Sequence, residues 1–230
     1  MLYHLLRSVA RLLLRGLFRL RVVGGEQIPR EGPLIVVANH VSFLDPPVVA
    51  VGTPRPLYFL AKAELFGVPL FGRLIRALNA LPLQREGADT GALRQALALL
   101  AQGKAILIFP EGTRGEEGQL RPARPGVGML AALSGAPVVP AYVRGTGAAL
   151  PRGRAVPRPS AITVAFGPPL RFEAGRRGRA YYEEVSARMM EAIGRLKAAM
   201  EREPLPARAA SPSVSSVVEA HGLCPAGPFH

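Results

Sequence analysis

One stretch decides the fold of this chain: residues 34–45, which read LIVVANHVSFLD. Its first five residues are apolar and include three β-branched side chains, which is typical of a strand buried on both faces of a sheet. The chain then turns at once to polar residues, with Asn39, His40 and, five positions after the histidine, Asp45. In layered α/β proteins, functional groups gather just beyond the carboxyl ends of such strands. The stretch therefore predicts an α/β fold with a site at the end of this strand.

His40 and Asp45 have the chemistry of a general base and its orienting group. An imidazole takes a proton, while a neighbouring carboxylate fixes its tautomer and stabilises the imidazolium ion. The structural alternative is that His40 caps the strand and Asp45 caps a helix. The step Asp45-Pro46-Pro47 is typical of an N-cap followed by proline in the first helical turn. Both interpretations hold together, because an aspartate anchored at a helix start is a rigid support for a histidine.

The composition narrows the class of protein. A length of 230 residues fits one domain with appendages, and 49% hydrophobic residues supply a sizeable core. The net charge of +13 predicts an anionic partner, which would be nucleic acid, anionic lipid or a phosphorylated substrate. The chain lacks tryptophan and any nucleic-acid-binding signature, so we expect no nucleic-acid partner. The single cysteine, Cys224, excludes an intrachain disulfide framework and fits a reducing compartment.

Residues 2–21 carry the pattern of a basic amphipathic helix. Leucines and valines recur at three–four spacing, and arginines recur every four residues, at Arg7, Arg11, Arg15 and Arg19. A spanning helix would bury these arginines at about 2.5–3.5 kcal/mol each, whereas an interfacial helix leaves them at anionic head groups. We therefore expect residues 1–24 to form a membrane-interface helix. The alternative is a surface helix packed on the protein's own core.

Strand and helix patterns alternate along the rest of the chain. The predicted strands are residues 34–38, 57–61, 81–83, 105–109, 138–143 and 161–166, and the predicted helices are residues 70–78, 90–101, 127–133 and 179–200. This alternation predicts a central mixed, largely parallel sheet flanked by helices. Residues 144–160 form a loop rich in glycine, proline and arginine. From residue 203 to 230 the composition predicts a disordered tail, which bounds the main domain at residues 25–202.

A second buried strand opens onto polar groups at residues 105–115, AILIFPEGTRG. If this strand lies parallel beside the first, the two strand ends place His40 and residues 111–114 in one crevice. The glycines allow close backbone approach, and Thr113 with free backbone amides can meet an anion. Arg114 can hold a phosphate through two parallel hydrogen bonds. Taken without the first stretch, this would be a common strand-to-turn step.

The sequence motifs of other enzyme classes are absent or incomplete. No Gly-x-Ser-x-Gly sequence exists, so serine-hydrolase chemistry lacks its nucleophile. Gly103-Lys104 is followed by alanine, which excludes a phosphate-binding P-loop. Gly145-Thr146-Gly147 lacks the third glycine and the acidic partner of a dinucleotide site. The carboxylates show no metal-ligand spacing, so we expect neither a metal nor a cofactor.

Residues 39–45 and 109–115 together resemble the first and third sequence blocks of the glycerolipid acyltransferase family, whose best-known members are 1-acylglycerol-3-phosphate acyltransferases. The resemblance covers about residues 25–170. The second block corresponds to residues 80–85, ALPLQR, in which Pro82 replaces the usual aromatic or aliphatic residue.

The remaining family features are also present. Val139-Pro140-Ala141 matches the fourth block, a Val-Pro step on a strand. Arg124-Pro125-Gly126 carries an arginine where family members usually have a lysine, which keeps the charge and changes its geometry.

The resemblance implies an acyltransferase. Such an enzyme moves a fatty acyl group from acyl-CoA or acyl carrier protein to the free hydroxyl of 1-acylglycerol-3-phosphate, and the product is phosphatidic acid. His40 would deprotonate the hydroxyl, Asp45 would hold His40, and the alkoxide would attack the thioester directly. The residues implied to bind the acceptor's phosphate and glycerol are Arg85, Glu111, Gly112, Thr113 and Arg114. The expected location is the cytoplasmic face of the cell membrane, as a peripheral or monotopic protein.

Three alternatives stay open at this point. The same chemistry could act on another lysolipid, such as a lyso-ornithine lipid. A non-catalytic protein could bind anionic lipid through the basic helix alone, although the intact pair of His40 and Asp45 argues against this. Nucleic-acid binding driven by charge is the third, and it lacks any supporting motif.

Overall fold

The computed structural model describes residues 2–83 and 90–202. The strands are β1 (Arg21–Val23), β2 (Leu34–Ala38), β3 (Leu57–Lys62), β4 (Ala80–Leu83), β5 (Ala105–Ile108), β6 (Val138–Arg144) and β7 (Thr163–Phe166). The helices are α1 (Leu2–Phe18), α2 (Asp45–Gly52), α3 (Phe71–Ala77), α4 (Thr90–Ala101), α5 (Pro125–Ser134), α6 (Thr146–Ala149) and α7 (Arg179–Arg202). Arg85 and the predicted tail, residues 203–230, lie outside the described residues.

The strands form one seven-stranded sheet in the order β1-β7-β6-β2-β5-β3-β4. Every neighbouring pair is parallel except β6 with β7. The apolar run of β2 is buried along its whole length and lies between β5 and β6. The predicted mixed, largely parallel sheet flanked by helices is therefore confirmed. Because β6, β2 and β5 are parallel neighbours, their carboxyl ends meet at one edge of the sheet.

Alternate residues of β2 belong to two hydrophobic cores. Leu34, Val36 and Ala38 pack in a cluster with residues of α1 and α2. Ile35 and Val37 pack on the opposite face in a cluster with residues of α4, α5 and α7. Full burial of such a side chain stabilises the fold by about 1.5–3 kcal/mol. This explains why β2 shows no polar alternation.

The N-terminal helix is shorter than predicted, and a strand follows it. α1 ends at Phe18 because Arg19 adopts a left-handed conformation, with a φ of 46°, and Leu20 donates its N–H to the carbonyl of Leu14. Residues 21–23 then form β1 beside β7. The prediction that residues 19–24 continue the helix is wrong, and α6 lies within residues 144–160, which were predicted to form a loop. The other predicted helix and strand boundaries differ from the observed ones by two residues or fewer.

One face of α1 packs on the protein itself. Arg7 donates to the carbonyls of Ala50, at 3.2 Å, and Thr53. Arg11 donates to the carbonyl of Val51 at 3.2 Å, so both guanidinium groups lie at the C-terminal end of α2, where free carbonyls attract cations. Leu14 and Phe18 are buried in the same interface. The contacts of this face agree with the alternative prediction, a surface helix packed on the protein's own core.

The opposite face of α1 stays exposed and apolar. Its exposed side chains are Leu5, Val9, Leu12, Leu13 and Leu17. Within residues 2–83 and 90–202, no helix is long and apolar enough to cross a membrane.

Candidate active site

Three loops meet at the shared edge of β6, β2 and β5. The segment after β2 carries His40 and, at the start of α2, Asp45; the loop after β5 carries residues 109–115; and the segment after β6 carries Thr146 at the start of α6. The predicted crevice between the first two loops therefore forms, and a third loop joins it.

His40 and Asp45 are in direct contact. The Nδ1 atom of His40 lies 2.8 Å from Oδ2 of Asp45. The Asp45 side chain is fully buried, whereas 18% of the His40 side chain is exposed. With Nδ1 donating to the carboxylate, Nε2 is the ring nitrogen whose lone pair can take a proton. The geometry is that of a general base with its orienting group.

The predicted N-cap role of Asp45 is wrong. α2 begins at Asp45 itself, with Leu44 in the N-cap position, and the two prolines that follow offer no N–H to the carboxylate. Oδ2 instead accepts the N–H groups of Val41 at 2.7 Å and Ser42 at 2.8 Å. The loop that precedes the helix is thus folded around the carboxylate, which aims Oδ2 at His40.

The loop after β5 holds His40 from three sides. The imidazole stacks on the Phe109 ring, with centroids 4.0 Å apart and planes inclined by 19°. The His40 N–H donates to Oε1 of Glu111 at 3.1 Å, and the His40 carbonyl accepts the N–H of Gly115 at 2.6 Å. Both backbone groups and the ring of His40 are therefore fixed before any substrate arrives.

Glu111 lies inside the protein, between two backbone segments. The residue is only 4% exposed, and its Oε2 atom accepts the N–H of Arg121 at 3.2 Å. Burial raises the pKa of Glu111, and the hydrogen bonds from the backbones of His40 and Arg121 oppose that rise. This predicted substrate-binding residue is thus bonded to the protein backbone and supports His40.

We expect Glu111→Gln to lower the melting temperature. Glutamine has one acceptor oxygen, and its NH₂ group would face the N–H of His40 or Arg121. A buried donor left without a partner costs about 1–3 kcal/mol, which for a domain of this size lowers the melting temperature by roughly 2–12 °C. The matched control is Glu116→Gln, an exposed carboxylate bonded to Gln119 at 3.1 Å.

The difference in melting temperature between wild type and Glu111→Gln should become smaller as the pH rises. A carboxyl group whose folded pKa is raised stabilises the protein most below its ordinary pKa, and it loses that contribution as the pH passes the raised value. The check is thermal unfolding between pH 4 and pH 8, on the scale of the ordinary glutamate pKa of about 4.3. A melting temperature equal to that of wild type at every pH would contradict the assigned contacts.

Gly112 and Thr113 lie on the open side of the loop after β5. Both residues are exposed. Gly112 has a φ of 68° and donates its N–H to the carbonyl of Phe109 at 3.0 Å. A Cβ atom at this position would lie 2.4 Å from Nε of Arg124. The positive φ therefore favours glycine at this turn, which the Arg124 side chain crosses.

Arg114 lies over the ring of Phe43, with its guanidinium carbon 3.8 Å from the ring centroid. Arg152 donates to the backbone carbonyl of Arg114. Burial lowers the pKa of Arg114, the charge of Arg152 lowers it further, and the charge of Asp45 raises it. Two guanidinium groups thus lie close together, and the charge of one of them, Arg114, interacts with that of Asp45. Such a positive patch suits an anionic group.

The acidic residues near Arg114 are engaged elsewhere. Glu116 accepts a hydrogen bond from Gln119 at 3.1 Å. Glu117 accepts the N–H groups of Gly145 at 2.9 Å and Gly147 at 2.8 Å. Both carboxylates thus have hydrogen-bond partners other than Arg114.

Three buried residues of the site escaped the sequence patterns. Both side-chain atoms of Asn39 bond the backbone of Val143 on β6, at 2.9 and 2.7 Å. Ser42 donates to the carbonyl of Leu150 at 3.0 Å. Thr146 donates to Oδ1 of Asp45 at 2.5 Å. The available signal was weak: Asn39 directly follows an apolar strand, and Thr146 stands in a short glycine-flanked motif.

Comparison with known proteins places this chain in a family. The acyltransferase family model matches residues 19–144, more than half of the chain. The chloroplastic 1-acyl-sn-glycerol-3-phosphate acyltransferase of Brassica napus is 32% identical over 139 residues, which cover 59% of this chain and 40% of that protein. The lyso-ornithine lipid O-acyltransferase of Pseudomonas aeruginosa is 43% identical over 97 residues, which cover 42% of this chain and 36% of that protein. The chain thus spans less than half the length of these two relatives.

The structural similarity covers more of the chain. The crystal structure of the 1-acyl-sn-glycerophosphate acyltransferase PlsC from Thermotoga maritima has a TM-score of 0.70 and 29% identity, and it covers 89% of this chain and 81% of that one. The region matched by the family model runs from before β1 to the end of β6, and so includes His40, Asp45 and the loop after β5. The chain belongs to the acyltransferase family.

Proposed function

We propose that this protein transfers a fatty acyl group from a thioester donor, acyl-CoA or acyl carrier protein, to the free hydroxyl of 1-acylglycerol-3-phosphate, and so forms phosphatidic acid. The observation that carries this proposal is the 2.8 Å contact between Nδ1 of His40 and Asp45, beside the positive charges of Arg114 and Arg152. The acceptor named for the Brassica napus and Thermotoga maritima proteins supports the choice of substrate. Residues 25–202 would form the acyltransferase domain.

In the proposed mechanism, His40 acts as a general base. Nε2 takes the proton of the acceptor hydroxyl while Asp45 stabilises the imidazolium ion. The acceptor oxygen attacks the thioester carbonyl carbon, the C–S bond breaks, and the proton passes from Nε2 to the leaving thiolate, which departs as the thiol. The chain need not form an acyl-enzyme. Ser42, the hydroxyl nearest in sequence to His40, is buried and donates to the carbonyl of Leu150, so it is not available as a nucleophile.

The acceptor phosphate would lie at the loop after β5. Arg114 supplies a fixed charge there, and the exposed turn at Gly112 and Thr113 allows close approach. Glu111 would serve the acceptor indirectly, since its carboxylate holds the backbone of His40. Arg85 is proposed as a further phosphate ligand on the strength of the family resemblance.

The test is an acyl-transfer assay with the full chain. Purified protein is incubated with acyl-CoA or acyl carrier protein and with each lysolipid in turn, and the released thiol and acylated product are measured. We expect faster release with 1-acylglycerol-3-phosphate than with a neutral or zwitterionic lysolipid. The absence of release with every acceptor would favour the non-catalytic, lipid-binding alternative.

A second candidate acceptor is a lyso-ornithine lipid. It is favoured by the 43% identity to the Pseudomonas aeruginosa enzyme over 97 residues. Its chemistry at the acyl-accepting hydroxyl is the same, so His40 and Asp45 would keep their roles. Faster thiol release with lyso-ornithine lipid than with 1-acylglycerol-3-phosphate would assign this acceptor instead.

We also propose that the protein binds the cytoplasmic face of the cell membrane as a peripheral or monotopic protein, through α1. Its exposed leucines and valine would enter the acyl boundary, while the exposed Arg15 and Arg19 would meet anionic head groups. Arg7 and Arg11 would contribute less, because they bind carbonyls of α2.

The membrane proposal predicts separate effects for the exposed leucines of α1 and for the two exposed arginines at its C-terminal end. Leu12→Gln with Leu13→Gln should weaken binding to phosphatidylglycerol vesicles at any salt concentration. Arg15→Gln with Arg19→Gln should weaken it only at low salt, by about 1 kcal/mol per charge. The measurement is co-sedimentation with vesicles.

Arg7→Gln with Arg11→Gln is the matched control, since it also removes two positive charges, here from the packed face. We expect it to lower the melting temperature more than it lowers vesicle binding, because it loses contacts with Ala50 and Thr53. Unchanged sedimentation of the Leu12 and Leu13 double variant would place membrane attachment elsewhere.

A further inference from the structure

We propose that Thr146 is a positioning residue of the reaction, whose hydroxyl holds the Asp45 carboxylate in the orientation that His40 requires. The proposal rests on the proposed role of His40 as general base. Thr146 lies after β6, outside residues 19–144 that the family model matches, and none of the sequence blocks that carry the resemblance contains it.

The two oxygens of Asp45 have different partners. Oδ2 receives three hydrogen bonds, from Nδ1 of His40 and from the N–H groups of Val41 and Ser42. Oδ1 receives the hydroxyl of Thr146 at 2.5 Å, and within residues 2–83 and 90–202 no other donor to Oδ1 is found. Because a carboxylate is planar, holding both oxygens fixes the direction in which Oδ2 faces His40.

Thr146 is itself held rigidly. Its side chain is fully buried, and the carboxylate of Glu117 accepts the N–H groups of both flanking glycines, Gly145 and Gly147. A Cβ on Gly145 would lie 2.1 Å from the carbonyl oxygen of Ala161, and a Cβ on Gly147 would lie 2.5 Å from Oε2 of Glu117. The glycines that flank Thr146 in the sequence thus permit a tight loop whose hydroxyl is directed at Asp45.

Loss of this hydroxyl should change how the His40–Asp45 pair binds its proton. Oδ1 would become a buried carboxylate oxygen without a donor, and less of the negative charge beside His40 would be compensated. The pair would then hold its proton more tightly, so the basic form would appear at higher pH. Besides Asp45, the charged groups around His40 are Glu111, bonded to its backbone, Arg114, which interacts with the charge of Asp45, and Arg152, which donates to the carbonyl of Arg114.

The test compares Thr146→Val, which removes the hydroxyl and keeps the shape, with Thr146→Ser, which keeps the hydroxyl. We expect Thr146→Val to lower kcat about tenfold, the equivalent of one hydrogen bond, and to move the acid limb of the kcat/KM profile to higher pH. The KM for both substrates should stay unchanged. Thr146→Ser should restore kcat to within about threefold and return the pH profile to that of wild type.

Thr53→Val is the matched control for burial. Thr53 is only 1% exposed, and its hydroxyl donates to the backbone carbonyl of Ala50 at 2.9 Å, away from the crevice. We expect Thr53→Val to lower the melting temperature while kcat and the pH profile stay at wild-type values. A loss of kcat equal to that of Thr146→Val would overturn the positioning role, because it would reflect general destabilisation.

A second readout does not depend on acyl transfer. The ring signals of His40, assigned with a His40→Gln variant, are followed by NMR across pH 5–9 in wild type and in Thr146→Val. We expect the titration midpoint to be higher in Thr146→Val, even if the enzyme proves inactive with every lysolipid and the proposed function fails. An unchanged midpoint would overturn the proposal, as would equal effects of the valine and serine substitutions.

Discussion

His40→Ala should reduce the rate of acyl transfer by about 10²–10⁴-fold, the usual contribution of a positioned general base. The variant should remain folded, since the hydrogen bonds that His40 makes with Glu111 and Gly115 use backbone atoms, which alanine retains. It loses the stacking on Phe109 and the contact with Asp45. The measurement is the initial rate of thiol release at saturating lysophosphatidate, together with the melting temperature.

Two companion variants make this result specific. His40→Gln keeps a polar side chain of similar size and should be equally slow. Asp45→Asn should be slow and also less stable. The fully buried carboxylate accepts four hydrogen bonds, whereas the NH₂ group of asparagine is itself a donor and would face at least one of these four donors. Near-normal turnover by a well-folded His40→Ala protein would contradict the proposed mechanism.

Arg114→Ala should impair use of the phosphate-bearing acceptor far more than use of the thioester donor. Truncation of an arginine that grips a phosphate costs about 2–5 kcal/mol, or roughly 30- to 4000-fold in kcat/KM. Because Arg114 is half-buried and lies on Phe43, we expect an effect toward the lower end of this range. Arg114→Lys should restore use of the phosphate-bearing acceptor only in part, since an ammonium group cannot reproduce the paired hydrogen bonds of guanidinium.

The control for Arg114 is Arg154→Ala, which removes the same charge from an exposed position in the loop after α6. The measurements are the apparent KM for lysophosphatidate, the apparent KM for the donor, and the melting temperature. A lower melting temperature with an unaltered acceptor KM would assign Arg114 to structure. Equal effects of both variants would indicate general electrostatic attraction of the anionic acceptor.

Local patterns along the chain were sufficient to predict the layered fold and half of the site. The apolar run of residues 34–38 is buried in the middle of the sheet, as an uninterrupted hydrophobic strand requires. The contact of His40 with Asp45 spans five residues, so a single loop could bring them together. The crevice beside residues 111–114 followed from the rule that parallel strands end at one edge.

Long-range packing decided the remaining features, which no local pattern encodes. α1 turns Arg7 and Arg11 inward because the end of α2 offers free carbonyls, and that leaves a leucine face exposed. Glu111 is drawn inside because two backbone N–H groups converge on its carboxylate. Thr146 reaches Asp45 across 101 residues only because β6 and β2 are neighbours in the sheet. Periodicity specifies which side chains are buried, whereas the order of the strands determines which buried polar groups meet.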